Sequence, residues 1–89
     1  MVTYNNFLIS PIKKRVIFVK KILNYLGYNL EDSFKEDKSY KKALKNYQIS
    51  KGITANCVID IKTFENLIKD CPNSNAIWKE LKKWGEYNE

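Results

Sequence analysis

Residues 40–67, YKKALKNYQISKGITANCVIDIKTFENL, read as helix, turn, short extended segment, helix. Tyr40, Ala43, Leu44 and Tyr47 recur at i, i+3, i+4, i+7 and so share one helical face. Gly52 stands where a helix ends in a left-handed residue, a conformation glycine adopts without a Cβ clash. Asp60 has the chemistry of an N-cap, because its carboxylate accepts from the free N–H groups of a first turn. Ile59 and Phe64 flank it at the spacing of a hydrophobic staple. Phe64, Leu67, Ile68 and Cys71 then continue an apolar face.

Outward from this stretch, residues 12–26 predict a first helix with Ile12, Val16, Val19, Leu23 and Leu26 as its buried stripe and Ile22 widening it. Lys13, Lys14, Arg15, Lys20 and Lys21 fill the opposite side as a solvated basic face, a candidate for contact with phosphates or an anionic polymer. Gly27 supplies the stop. Residues 28–36 form a connecting loop, and Asp37, with Ser39 as the alternative, caps a second helix over 38–50. Residues 53–59 are expected to be extended, with Asn56 able to take a positive φ. Pro72 ends the third helix. Ile77, Leu81 and Trp84 mark a further helix over about 75–84. Residues 1–11 read as an extended arm, a short strand at most, whose Phe7, Leu8 and Ile9 prefer burial.

The chain of 89 residues suits one domain: arm 1–11, core 12–71, C-terminal helix and tail 72–89. Its net charge of +6 comes almost entirely from Lys. Abundant Lys, Asn, Ile and Tyr, with their A/T-rich codons, fit a low-G+C bacterium or its phage. The absence of His removes the commonest general base and metal ligand, and no nucleophile–His pair can form. Cys57 and Cys71 lack metal-site spacing and are too few for a disulfide framework, so both read as small buried residues, with a mutual disulfide the alternative. Glu31, Asp32, Glu36 and Asp37 cluster in a loop, but glycoside hydrolysis needs a cleft this chain has little room for. No catalytic residue, metal or cofactor is expected. No stretch is long and apolar enough for a membrane span, and Lys20-Lys21 cuts short the apolar run that a signal peptide needs. No helix carries the clustered Arg of a nucleic-acid reader.

The chain resembles the small helical peptidoglycan-binding domain of cell-wall hydrolases and phage proteins. The family's Ala-Val-x-x-Phe-Gln helix is matched by Ala43-Leu44-Lys45-Asn46-Tyr47-Gln48, its Gly-Leu by Gly52-Ile53, and its Asp-x-x-Thr helix start by Asp60-Ile61-Lys62-Thr63 with Leu67. The interval from Gly52 to Asp60 is the family's. Val19–Tyr28 is similar to its opening helix, including the Leu26-Gly27-Tyr28 end, so the likeness covers roughly residues 16–69. Two glycines depart from it: Asp32-Ser33-Phe34 replaces an Asp-Gly turn, and Asn56-Cys57 stands where Thr-Gly is common.

The resemblance implies an all-α fold, a three-helix peptidoglycan-binding-like bundle to which the arm and the last helix are additions. It implies non-catalytic binding of peptidoglycan that targets a hydrolase or phage device to the wall, through a shallow groove between the inter-helix loops. The ligand-binding residues expected there are Tyr28, Phe34, Gln48 and Asn56, with packing and loop-tying the alternative role of each. The other expectation is a structural adaptor in a phage tail or baseplate, using Phe7, Trp78 and Trp84 against cell-wall hydrolases or phage structural proteins. Trp78 and Trp84, six residues apart on one helix, do not easily both face inward. The protein is expected at the cell wall or in a virion, made in the cytoplasm without a signal of its own.

Overall fold

The computed structural model describes residues 2–84, with side chains to residue 81. Five helices follow in order: α1 Tyr4–Leu8, α2 Ile12–Tyr25, α3 Lys38–Ser50, α4 Ile61–Asp70 and α5 Ser74–Trp84. No strand occurs among the described residues. The expected extended arm is instead helical at Tyr4–Leu8. The Thr3 hydroxyl caps this turn by accepting from Asn6 N–H at 3.1 Å, and Phe7 is anchored in the core. Leu8 and Ile9 remain exposed.

α2 is the axis of the fold, packed against α3, α4 and α5, while α1 lies on α4. Val16, Ile17, Phe18, Val19 and Lys20 are buried in unbroken succession, more than a full turn, so the middle of α2 is covered on every side. The single-stripe expectation is therefore corrected: Ile12 is exposed, whereas Ile17 and Phe18 are core. The basic face is corrected too. Lys14 is buried with its ammonium 5.2 Å from the Trp78 ring. Lys20, 2% exposed, donates to Ser33 Oγ at 3.1 Å and stands 4.0 Å from Asp37 Oδ2. The loop over residues 28–37 folds back across that flank of α2. Asn24 fastens it as well, its amide bonding both the carbonyl and the N–H of Leu30.

α2 and α3 end alike. Tyr28 N–H donates to Leu23 carbonyl at 3.0 Å across Gly27, whose φ is +100°, and Ile53 N–H donates to Gln48 carbonyl at 3.1 Å across Gly52, whose φ is +69°. Both closures are Schellman motifs with glycine in the left-handed position. Asp37 and Asp60 cap α3 and α4 by accepting from Tyr40 and Thr63 N–H, each at 2.9 Å. Ser39 lies inside α3 and plays no capping part.

Between α3 and α4 the chain forms bends, ordered by the fully buried Gln48. Its amide nitrogen faces Asn56 Oδ1 at 3.1 Å, Val58 carbonyl at 3.0 Å and Thr63 Oγ1 at 3.0 Å, and its oxygen accepts from Cys57 N–H at 3.0 Å. The positive φ in this loop belongs to Cys57, at +59°, and not to Asn56. Asn56 uses its side chain as an Asx turn, accepting from Val58 N–H at 3.0 Å. Cys57 is half-buried and Cys71 buried, both free thiols.

Gln48→Met keeps the volume but leaves the buried Thr63 Oγ1 and the part-buried Cys57 N–H and Val58 carbonyl without this partner, at about 1–3 kcal/mol for a group left fully buried. Urea denaturation should show a lower midpoint with an unchanged slope, and an unchanged midpoint would mean the loop stands without the amide. Cys57→Gly relieves a left-handed cost of about 1–2 kcal/mol against a glycine entropy cost of about 0.5–1 kcal/mol. The variant should be as stable as the parent or slightly more so, while β-branched Cys57→Val should be less stable.

Candidate functional site

The C-terminal ends of α2, α3 and α4 meet at one cleft of about 380 Å³, lined by Leu26, Tyr28, Tyr47, Ser50, Lys51 and Asp70. Tyr28 is there because Gly27 turns the chain out of α2, and its ring meets that of Tyr47 edge-on at a centroid distance of 6.5 Å. A carboxylate at a helix C-terminus opposes the macrodipole, so Asp70, the last residue of α4, needs donors from elsewhere. Two reach it from α3 and its end. Tyr47 O–H donates to Asp70 Oδ2 at 2.7 Å and Lys51 Nζ stands 2.6 Å from the same oxygen. Ser50 O–H donates to Tyr47 carbonyl at 2.7 Å, which leaves its lone pairs available to accept.

These contacts move the ionisations. Burial raises the Asp70 carboxyl, but the hydrogen bonds from Lys51 and Tyr47 and the charges of Lys51 and Lys69 outweigh it and hold the group below its ordinary value. Burial, then the bond to Asp70 and its charge, push the Tyr47 hydroxyl far above its own. Tyr40 is raised by burial and then by Glu36 and Cys57. Asp60 is lowered, chiefly by its bond from Thr63 N–H.

Tyr28 borders a second shallow cleft on its other side, with Asn29, Leu30, Ser39, Lys42, Ala43 and Asn46. A third hollow, of about 310 Å³, is mostly apolar and runs between α1, α2, the start of α3 and residues 57–59. Exposed Leu8, Ile12 and Val58 line it beside Arg15 and Glu36.

Of the four residues expected to form one groove, Gln48 and Asn56 are brought into contact, at 3.1 Å, but inside the α3–α4 loop network, and neither joins Tyr28 or Phe34 in a cleft. Tyr28 alone lines these clefts. Phe34, 43% exposed, packs under the Lys13 ammonium at 4.8 Å. Gln48 is enclosed and committed to the loop, and exposed Asn56 serves the Asx turn. Phe7 and Trp78, expected at a partner surface, are core residues 6.5 Å apart by ring centroid, Trp78 being 5% exposed. They are buried because α1 and α5 fold over α2 and α4. The Trp84 side chain lies outside the described residues.

Sequence reasoning did not single out Ser50, Lys51 or Asp70. One signal was present: an acid at the end of α4 is electrostatically misplaced unless a cation meets it. Among the described residues, no cluster of three or more acids and thiols is placed to hold a metal ion, and no helix is long and apolar enough to cross a membrane. Comparison with protein-family models, curated proteins and solved structures finds no match to this chain.

A depressed carboxyl stabilises the fold above its unfolded value, about 3.9, and that contribution is lost as pH falls through the lower folded value. A raised tyrosine contributes below its unfolded value, about 10, and the contribution is lost as pH rises beyond it. Urea midpoints should therefore fall below about pH 4 and above about pH 10. Asp70→Asn should lower the plateau and flatten the acid limb, and Tyr47→Phe should flatten the alkaline limb.

Proposed function

We propose that this chain is a non-catalytic binding module for bacterial cell-wall peptidoglycan, with α2, α3 and α4 as a three-helix peptidoglycan-binding-like core and α1 and α5 as additions. The observation that carries the reading is the half-buried ring of Tyr28 between two polar clefts. An aromatic face flanked by hydrogen-bonding groups suits a polymer of sugars and short peptides, which offers apolar ring faces and methyl groups among many polar atoms. The likeness in sequence supports it, and so does the left-handed Cys57, which stands at a common glycine of the resembled family. The binding face differs from the groove first expected: Tyr28 stays, and Ser50, Lys51, Asp70, Lys42 and Asn46 replace Phe34, Gln48 and Asn56.

The second reading is a structural adaptor in a phage tail, baseplate or similar assembly. The apolar hollow bordered by exposed Leu8, Ile12 and Val58 favours it, since contiguous exposed aliphatic surface marks protein contact sites. Its surface lies apart from Tyr28, so Ile12→Glu should leave wall binding intact under the first reading and abolish assembly under the second.

Purified protein should co-sediment with insoluble peptidoglycan of a low-G+C Gram-positive bacterium without releasing soluble fragments. Tyr28→Leu, which keeps packing against Tyr47 but loses the aromatic ring, should weaken retention about three- to tenfold. Retention that disappears at moderate salt would assign it to the +6 charge. No retention at low or moderate salt would overturn the reading.

A further inference from the structure

Within the wall-binding reading, on which this rests, we infer that the cleft of Tyr28, Ser50, Lys51 and Asp70 takes the peptide stem of the polymer, by a segment carrying both a free ammonium and a free carboxylate, and not its glycan.

The cleft presents two opposite charges side by side at 2.6 Å, both still open to solvent, Lys51 being 33% and Asp70 21% exposed. The N-acetylated sugars carry no ammonium for Asp70, and in the intact polymer the lactyl carboxyls on the glycan are tied up as amides with the stem. A peptide stem with a diamino acid and free carboxylates is its electrostatic complement. The Asp70 carboxylate is held ready for a cation: the Tyr47 and Lys51 contacts fall on Oδ2, so its other oxygen takes part in neither. The depressed Asp70 ionisation keeps that charge in place at neutral pH. Three helix C-termini end at this cleft, and their dipoles also favour an ammonium there. Lys51 has three N–H donors and can receive a carboxylate while keeping Asp70.

The remaining groups fit a peptide backbone. Ser50 Oγ, its proton committed to Tyr47 carbonyl, can accept from a peptide N–H. The Tyr28 ring offers an apolar wall at the scale of an alanine methyl. A volume of about 380 Å³ is near the low end of ligand sites, about 300–1,000 Å³, and holds a fragment of a stem. Tyr47 fixes the geometry from behind, since it is buried and grips Asp70 from the neighbouring helix.

The test uses the whole chain and two soluble probes: a synthetic alanyl-γ-glutamyl-lysyl-alanyl-alanine stem peptide, and glycan strands freed of peptide by an amidase and then capped as simple amides at the lactyl carboxylates this exposes, so that the glycan stays uncharged. The stem peptide should shift the backbone amide resonances of Tyr28, Ser50, Lys51 and Asp70 and displace the protein from insoluble wall, whereas bare glycan should do neither. Acetylating the peptide's amines, or amidating its carboxylates, should weaken binding about tenfold or more, the worth of one charge-assisted hydrogen bond. Asp70→Asn should match the first loss and Lys51→Met the second. The modified peptides act on unaltered protein, so the comparison holds even where a variant misfolds. Displacement by bare glycan and not by peptide overturns this inference and leaves wall binding standing. Failure to bind insoluble wall at all overturns both.

Discussion

The amide of Gln48 commits its donors and its acceptor to a loop that has no regular structure of its own, and the position of α4 follows from that. Residues 56–58 lack a ladder or helix to satisfy their backbone, and Gln48 supplies the missing partners from inside α3. It also grips Thr63 in the first turn of α4, so the cap at Asp60 and the amide locate the same helix start from two sides. Once α4 is placed, its last residue arrives beside Lys51 and Tyr47. The cleft at the far end of α4 thus inherits its geometry from a hydrogen-bond network at the near end.

α2 imposes the complementary constraint. A helix covered on all sides at its middle has to accommodate the polar residues there, and Lys20 does so by running its aliphatic stem through the core toward Ser33 and Asp37. The ammonium draws the 28–37 loop over α2, and the same loop begins with Tyr28. Aromatic placement at the surface and charge burial beneath it are two results of one chain reversal.

Much of the helical frame was legible. Asp37 and Asp60 cap where their chemistry requires, and Gly27 and Gly52 turn left-handed where the apolar faces stop. What escaped depends on contacts distant in sequence. The helix α1 is too short to show periodicity and is held by the Thr3 cap and the burial of Phe7. Lys14 and Lys20 look like surface residues until α5 and the 28–37 loop cover them. Asn56 and Cys57 exchange roles because an Asx turn competes with a left-handed backbone for the same asparagine. For the site, Tyr28 could be named from the loop it occupies. Its neighbours Lys51 and Asp70 are linked by no local spacing.

The aromatic cluster has a consequence for how the protein comes into being. Trp78 on α5 meets Phe18 at 5.0 Å and Phe7 at 6.5 Å, and Phe7 meets Phe64 at 5.2 Å. The amide of Val2 is also bonded, at 3.0 Å, to Asn75 Oδ1. The first helix is therefore completed by the last one. During synthesis α1 and α2 emerge from the ribosome with their apolar rings still unmatched, and the cluster closes only once α5 has cleared the tunnel. Contacts this distant make closure slow relative to helix formation. The nascent chain is a set of helices without a finished interior until then, and a break anywhere before α5 leaves a fragment that cannot complete that interior.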